Sequence, residues 1–165
     1  MSGANKASAA GLLDHPHTTR SEQETRELAG EFAKWLQPGD VVLLKGELGA
    51  GKTVIAKAIA RALGYEGPVT SPSFTLMNIY ETPGGCIYHF DFYRLNQEAE
   101  AVAIGVDEYL QGDCICLIEW PEKVEHLLPE TCYEVLITIP DFAGEKSKRV
   151  VQFSTREKSD AGFRH

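Results

Sequence analysis

The residues Gly46-Glu47-Leu48-Gly49-Ala50-Gly51-Lys52-Thr53 match the pattern G-x-x-x-x-G-K-[ST] at every fixed position. The chemistry of such a pattern is phosphate binding. Gly46, Gly49 and Gly51 are expected to let the backbone take positive φ and approach an anion with no Cβ in the way. The N–H groups of such a loop form a nest for the anion, reinforced by the positive end of the helix that follows. Lys52 supplies a point charge for the β- and γ-phosphates, and the Thr53 hydroxyl is a ligand for Mg²⁺. The run from Gly46 to Val54 is thus the expected triphosphate cradle.

A triphosphate site also needs an acid at the tip of a neighbouring strand. Two apolar runs end in one: CIYHFD at Asp91 and CICLIE at Glu119. Ligands in parallel α/β sheets gather at the carboxyl ends of the strands, so both acids are expected at the site. Either could hold a metal ion, directly or through water, or orient an attacking water as general base. Between the loop helix and these strands lies Thr70-Ser71-Pro72-Ser73-Phe74. Pro72 keeps Ser71 out of helical conformation. The hydroxyls of Thr70, Ser71 and Ser73 could meet the terminal phosphate or the attacking water, as switch loops do, although the segment by itself reads as an ordinary polar turn. Trp120 follows Glu119; its type suggests packing, its position a partner contact or a mobile switch. His89, two residues before Asp91 and on the same strand face, reads as a satisfied structural histidine.

The elements that must position these groups follow from periodicity. SEQE at 21–24 is a capping box, and Leu28, Ala29, Phe32, Ala33 and Leu36 continue it at helical spacing as far as Pro38-Gly39. The continuous apolar run 41–44 predicts a strand covered on both faces. After the glycine loop, Val54, Ile55, Ala58, Ile59, Ala62 and Leu63 share one helical face, and Gly64 offers a stop. SFTLMNIY (73–80) and CIYHFD (86–91) predict a hairpin about TPGG. EAEAVAIG and VDEYL predict short helices, CICLIE a buried strand, and YEVLITIP with RVVQFST a terminal hairpin. The expected fold class is α/β: a P-loop NTPase-like three-layer fold with a mixed sheet, parallel inside and with antiparallel hairpins. Residues 1–17 read as a frayed tail, 18–156 as one domain and 157–165 as a C-terminal tail.

Composition narrows the function. At 165 residues one core suffices, and 43% hydrophobic with 24% charged residues is ordinary for a globular domain. The net charge of −8 argues against direct, strong nucleic-acid binding, which needs a basic stripe to neutralise phosphates. The basic cluster EKSKR (145–149) reads as a solvated hairpin loop. An acidic surface suits a basic protein partner instead. No apolar run approaches the length of a membrane span. Cys114, Cys116 and Cys132 lie in or beside apolar runs and read as small buried hydrophobes, and with Cys86 they form no CxxC pair. A cytoplasmic, reducing compartment fits these features.

Taken together, GELGAGKT, TSPSFTL, HFDFYRL, AIGVDEYL and LIEWPE resemble the TsaE (YjeE) family across nearly the whole chain. HFDFYRL followed by LIEWPE is the specific part, since the phosphate loop alone is shared widely. The resemblance implies a small bacterial ATPase required for the threonylcarbamoyladenosine modification of tRNA. It implies ATP with Mg²⁺, Lys52 on phosphate, Thr53 on the metal, Asp91 as the Walker B-like acid and Glu119 as a second acid near the metal and important for hydrolysis. The family's following Trp is Trp120. Its switch-like SPTF segment falls on Ser71 to Phe74, with Ser73 in place of the usual Thr. It implies as partner the TsaD–TsaB heterodimer, whose TsaD subunit transfers the threonylcarbamoyl group, with ATP hydrolysis resetting that complex.

Three other functions use the same loop. A small-molecule kinase would need an arginine-rich lid, yet Arg94 is the only arginine between residues 62 and 148. A GTP switch would need an NKxD motif after the loop, and none occurs. A non-hydrolysing nucleotide sensor would leave the paired acids Asp91 and Glu119 without a use.

Overall fold

The computed structural model describes residues 11–140 and 144–158. Its seven strands are β1 (Pro16–Thr19), β2 (Val41–Lys45), β3 (Met77–Thr82), β4 (Gly85–Asp91), β5 (Ile115–Glu119), β6 (Thr131–Thr138) and β7 (Arg149–Glu157). They form one sheet in the order β1-β7-β6-β2-β5-β4-β3. β6, β2, β5 and β4 are parallel to their neighbours within that group, while β1–β7, β7–β6 and β4–β3 pair antiparallel. The apolar runs that lacked alternation occupy the centre: Val41 to Leu44 and all of β5 are buried. A strand covered on both faces has no solvent side on which to place polar residues.

Two helix layers do the covering. α1 (Glu22–Ala33) and α2 (Lys52–Ala62) lie on one face, where Phe32, Ile55 and Ile59 pack with Val42, Leu44, Leu117 and Phe153. The ring of Phe32 stacks on Phe153 at 4.6 Å and meets Tyr133 edge-on at 5.5 Å. On the other face, α3 (Glu98–Ala103), α4 (Val106–Leu110) and a 3-10 helix (Pro121–Leu127) cover Val41, Leu43, Phe90, Cys116 and Ile118. The three-layer α/β class with a mixed sheet is as expected.

Local differences have local causes. Ser21 caps α1 by accepting from the Glu24 N–H at 3.1 Å, but the Glu24 carboxylate accepts from Arg20 N–H rather than from Ser21. The first strand of the hairpin begins at Met77, not at Ser73. The Leu76 N–H donates to the Pro72 carbonyl at 2.7 Å and Leu76 takes φ +66, so 73–76 is a turn. Residues 16–17, read as tail, belong to β1, which pairs with β7 from Pro16↔Gln152 to Thr19↔Arg149. Residues 1–10 and 159–165 of the expected tails lie outside the described residues. Cys116 and Cys132 are buried as read, but Cys114 is half-buried and forms a disulfide with Cys86. Parallel register sets this up, because Ile87 opposite Ile115 brings Cys86 of β4 and Cys114, just before β5, to a Cα separation of 4.9 Å. No helix among the described residues is long and apolar enough to cross a membrane.

Candidate functional site

Strand alternation decides where the acids point. Val42 and Leu44 of β2, Leu117 of β5 and Ile87 of β4 all face the layer of α1 and α2. Side chains two residues apart share a face, so Glu119 and both His89 and Asp91 face that layer too. Leu44, Glu119 and Asp91 are direct partners across the three parallel strands. The chain leaves β2 after Lys45 and enters the phosphate loop at once. Both acids therefore end beneath that loop, and both are buried.

The loop is shaped by its neighbours as much as by its glycines. Gly49 and Gly51 take φ +81 and +117, as expected. Gly46 does not take positive φ; a Cβ there would meet the Ile137 carbonyl oxygen at 2.6 Å and its Cγ2 at 2.8 Å. Close approach of β6 is what requires that glycine. Arg149 reaches across from β7, donating from Nε to the Ala50 carbonyl at 2.8 Å. The end of the EKSKR cluster is thus a half-buried brace on the loop rather than a solvated loop residue.

Lys52 opens α2 and is buried. Its ammonium donates to the carbonyls of Gly46 at 2.5 Å and Glu47 at 3.1 Å, and lies 4.3 Å over the Trp120 ring. Burial pushes this group below the usual lysine range, while the carboxylates of Glu119, Asp91 and Glu122 pull it part of the way back. Glu122, on the 3-10 helix, was not singled out by the sequence reading. Trp120 takes φ +58, a conformation that costs roughly 1–2 kcal/mol for a non-glycine residue. Its ring contacts both Lys52 and Tyr93, whose ring centroid is 5.0 Å away. Strain of that kind gathers at functional sites.

Asp91 accepts from the Tyr93 N–H at 2.9 Å and from the Ser71 hydroxyl at 3.1 Å. Of the segment 70–74, Ser71 is therefore the hydroxyl brought to an acid. Ser73 is half-buried in the following turn, and Phe74 is 82% exposed, its ring under the Arg94 guanidinium at 4.1 Å. Glu119 is engaged by His89, whose Nε2 lies 2.7 Å from its Oε2. Thr53 is half-buried in the first turn of α2, beside Lys52.

One hydroxyl and two buried carboxylates fit Mg²⁺, a hard cation that takes few protein oxygens and keeps several waters. Among the described residues no group of three or more His, Cys, Asp and Glu gathers into an all-protein metal cage. Beside the loop lies a cavity of about 260 Å³, lined among others by Gly51, Val54, Thr25, Ser147 and Arg149. Sequence reasoning missed Thr25 and Arg149, because one comes from α1 and the other from β7, far from any motif.

The strand–glycine loop–helix unit, with acids at the adjacent strand tips, defines a P-loop protein of the α/β class. A family model described as "Threonylcarbamoyl adenosine biosynthesis protein TsaE" matches residues 19–149. The chain belongs to the TsaE family. A Rickettsia typhi protein named tRNA threonylcarbamoyladenosine biosynthesis protein TsaE is 44% identical over 126 residues, 76% of this chain and 87% of the relative. A Bacillus subtilis protein of the same name is 40% identical over 119 residues, 72% of this chain and 74% of the relative. The crystal structure of Bacillus subtilis YdiB superposes with a TM-score of 0.70 at 33% identity, covering 87% of this chain and 86% of that one.

Proposed function

We propose that this chain is a Mg²⁺-dependent ATPase that drives or resets a TsaD–TsaB complex during threonylcarbamoyladenosine synthesis in tRNA. The observation that carries the reading is the convergence of Lys52, Asp91 and Glu119 under one glycine loop. Backbone N–H groups from Gly49 to Val54, with the amino end of α2, hold the triphosphate. Lys52 leaves the Gly46 and Glu47 carbonyls for the β- and γ-phosphates, a stronger, charge-assisted pairing. The adjoining cavity takes the nucleoside against Val54, with Thr25 and Arg149 at its walls. Thr53 and Asp91 hold the metal, which when bound neutralises charge building on the phosphates. Glu119 would orient the attacking water or join Asp91 in holding the metal. Ser71 and Ser73 sit on the segment that closes over the terminal phosphate, and Trp120 is placed to report or to transmit that closure.

The −8 charge suits a chain that leaves tRNA to its partners. A kinase is disfavoured because Arg94, the one arginine in the middle of the chain, is stacked on Phe74 at the surface. The deciding experiment measures phosphate release with and without the purified TsaD–TsaB heterodimer, for wild type and Glu119→Ala. We expect weak turnover alone, a sharp rise with partners, and retained ATP binding with poor hydrolysis in the variant. Unchanged turnover in Glu119→Ala would remove that acid from the mechanism. ATP binding with no turnover even beside the heterodimer would leave a sensor.

A further inference from the structure

A buried polar chain runs behind Glu119, and no step above uses it. From Glu119 Oε2 it passes to His89 Nε2 at 2.7 Å, and from His89 Nδ1 to the Tyr80 hydroxyl at 2.9 Å. That hydroxyl lies 3.5 Å from Asn78 Nδ2, which also donates to the Thr70 carbonyl at 3.1 Å. His89, Tyr80 and Glu119 are 0%, 2% and 3% exposed, so water does not compete for the two bonds that join them, while Asn78 is half-buried. The sheet register builds the chain. His89 lies opposite Asn78 and Leu117, and Tyr80 opposite Ile87, so Tyr80, His89 and Glu119 form two diagonal steps across β3, β4 and β5.

With a neutral imidazole at His89, one arrangement of hydrogens satisfies the chain. A carboxylate at Glu119 only accepts, so its partner His89 Nε2 carries a hydrogen. In the neutral imidazole that leaves a lone pair on Nδ1, which accepts the Tyr80 phenol hydrogen, while the Tyr80 oxygen accepts from Asn78 Nδ2, which only donates. Burial raises Tyr80 above the ordinary phenol value, which keeps that hydrogen in place. Every donor from Asn78 onward then points toward Glu119, and each bond polarises the next. A histidine held at both nitrogens is locked in tautomer and ring orientation. It occupies Oε2 of Glu119 and leaves Oε1 for the site.

We propose that His89, Tyr80 and Asn78 are positioning residues that hold the Glu119 carboxylate in one orientation and couple it to the Thr70–Phe74 segment. This rests on the hydrolytic reading of Glu119. The segment reaches both acids, Asp91 directly through Ser71 and Glu119 through the chain that starts at the Thr70 carbonyl. A shift of that one segment therefore acts on both carboxylates together.

Four variants, the last of them Asn78→Leu, separate positioning from mere packing. His89→Leu removes the donor to Glu119, His89→Gln keeps an amide N–H near the place of Nε2, and Tyr80→Phe removes only the far hydroxyl. With partners present, His89→Leu is expected to lower kcat by roughly ten- to a hundredfold with KM for ATP within about twofold. His89→Gln should regain most of that loss. Tyr80→Phe should lower kcat by about three- to tenfold, and Asn78→Leu, at the longest link, by about twofold. Equal loss in His89→Gln and His89→Leu, or a rise in KM with kcat unchanged, overturns the proposal. Nitrogen NMR of isotope-labelled histidine gives a readout independent of turnover. Wild-type His89 should show a hydrogen on Nε2 and none on Nδ1, and Tyr80→Phe should disturb that tautomer. A hydrogen on Nδ1 in the wild type overturns the chain. Absent phosphate release from wild type under every condition would refute the hydrolytic reading instead, while the imidazole spectrum still decides the chain.

Discussion

Gly46→Ala tests whether the phosphate loop is shaped by its own glycines or by the strand packed against it. A Cβ at this position would stand 2.6 Å from the Ile137 carbonyl oxygen and 2.8 Å from Ile137 Cγ2. The side chain can rotate, but the carbonyl belongs to β6, which is parallel to β2 through Lys45↔Leu136. Restoring ordinary contact at 3.4 Å asks β6 and the loop to part by about 0.8 Å. Overpacking of this kind costs about 1–3 kcal/mol, and stretching a ladder hydrogen bond adds about 1 kcal/mol. The expected loss is therefore about 2–4 kcal/mol, a large part of a typical stability of about 5–15 kcal/mol. Gly49→Ala is the control: its Cβ meets nothing within 4 Å, and φ +81 leaves only backbone strain of about 1–2 kcal/mol. Urea unfolding measures both, with ATP affinity by calorimetry alongside. Gly46→Ala is expected to be the less stable variant and to bind nucleotide more weakly. Wild-type stability in Gly46→Ala, or a greater loss in Gly49→Ala, would refute the idea that β6 sets the loop.

Lys52→Ala is expected to abolish nucleotide binding in calorimetry, because it deletes the ammonium that meets the phosphates; affinity like that of wild type would contradict this. Opening the Cys86–Cys114 disulfide frees a 28-residue separation and should lower stability by roughly 2–4 kcal/mol, read as a fall in thermal midpoint when reductant is added. In the reduced protein at pH 8, iodoacetamide should label Cys86 and Cys114 only. Burial pushes the Cys116 thiol up to about 12 and the Cys132 thiol to about 11, so neither supplies thiolate at that pH.

Much of the fold was legible in the sequence because its signals are local. The absence of alternation in Val41 to Leu44 and in CICLIE is what central parallel strands require, and both lie at the centre of the sheet. The hairpin turn at TPGG and the stop at Gly64 are equally local. The turn at 73–76 was hidden because its residues are apolar or hydroxylated enough to suit a strand. A hydrogen bond from Leu76 to Pro72 and a positive φ at Leu76 decide it. β1 was hidden because Pro16-His17-Thr18-Thr19 carries no apolar alternation, and only the free edge of β7 makes these residues a strand.

By itself the sequence determined the phosphate loop, the strand tips that carry Asp91 and Glu119, and a family likeness, since each is a matter of residue type at fixed spacing along the chain. Tertiary structure alone decided what stands across those strands. Register placed Asp91 beside Glu119, brought Ile137 against Gly46, carried Arg149 to Ala50, joined Cys86 to Cys114 and set His89 and Tyr80 behind Glu119. The physical reason is that spacing along a chain is written in covalent bonds. Adjacency across a sheet depends on which strands find each other when the core is buried, and a single sequence records that only in part.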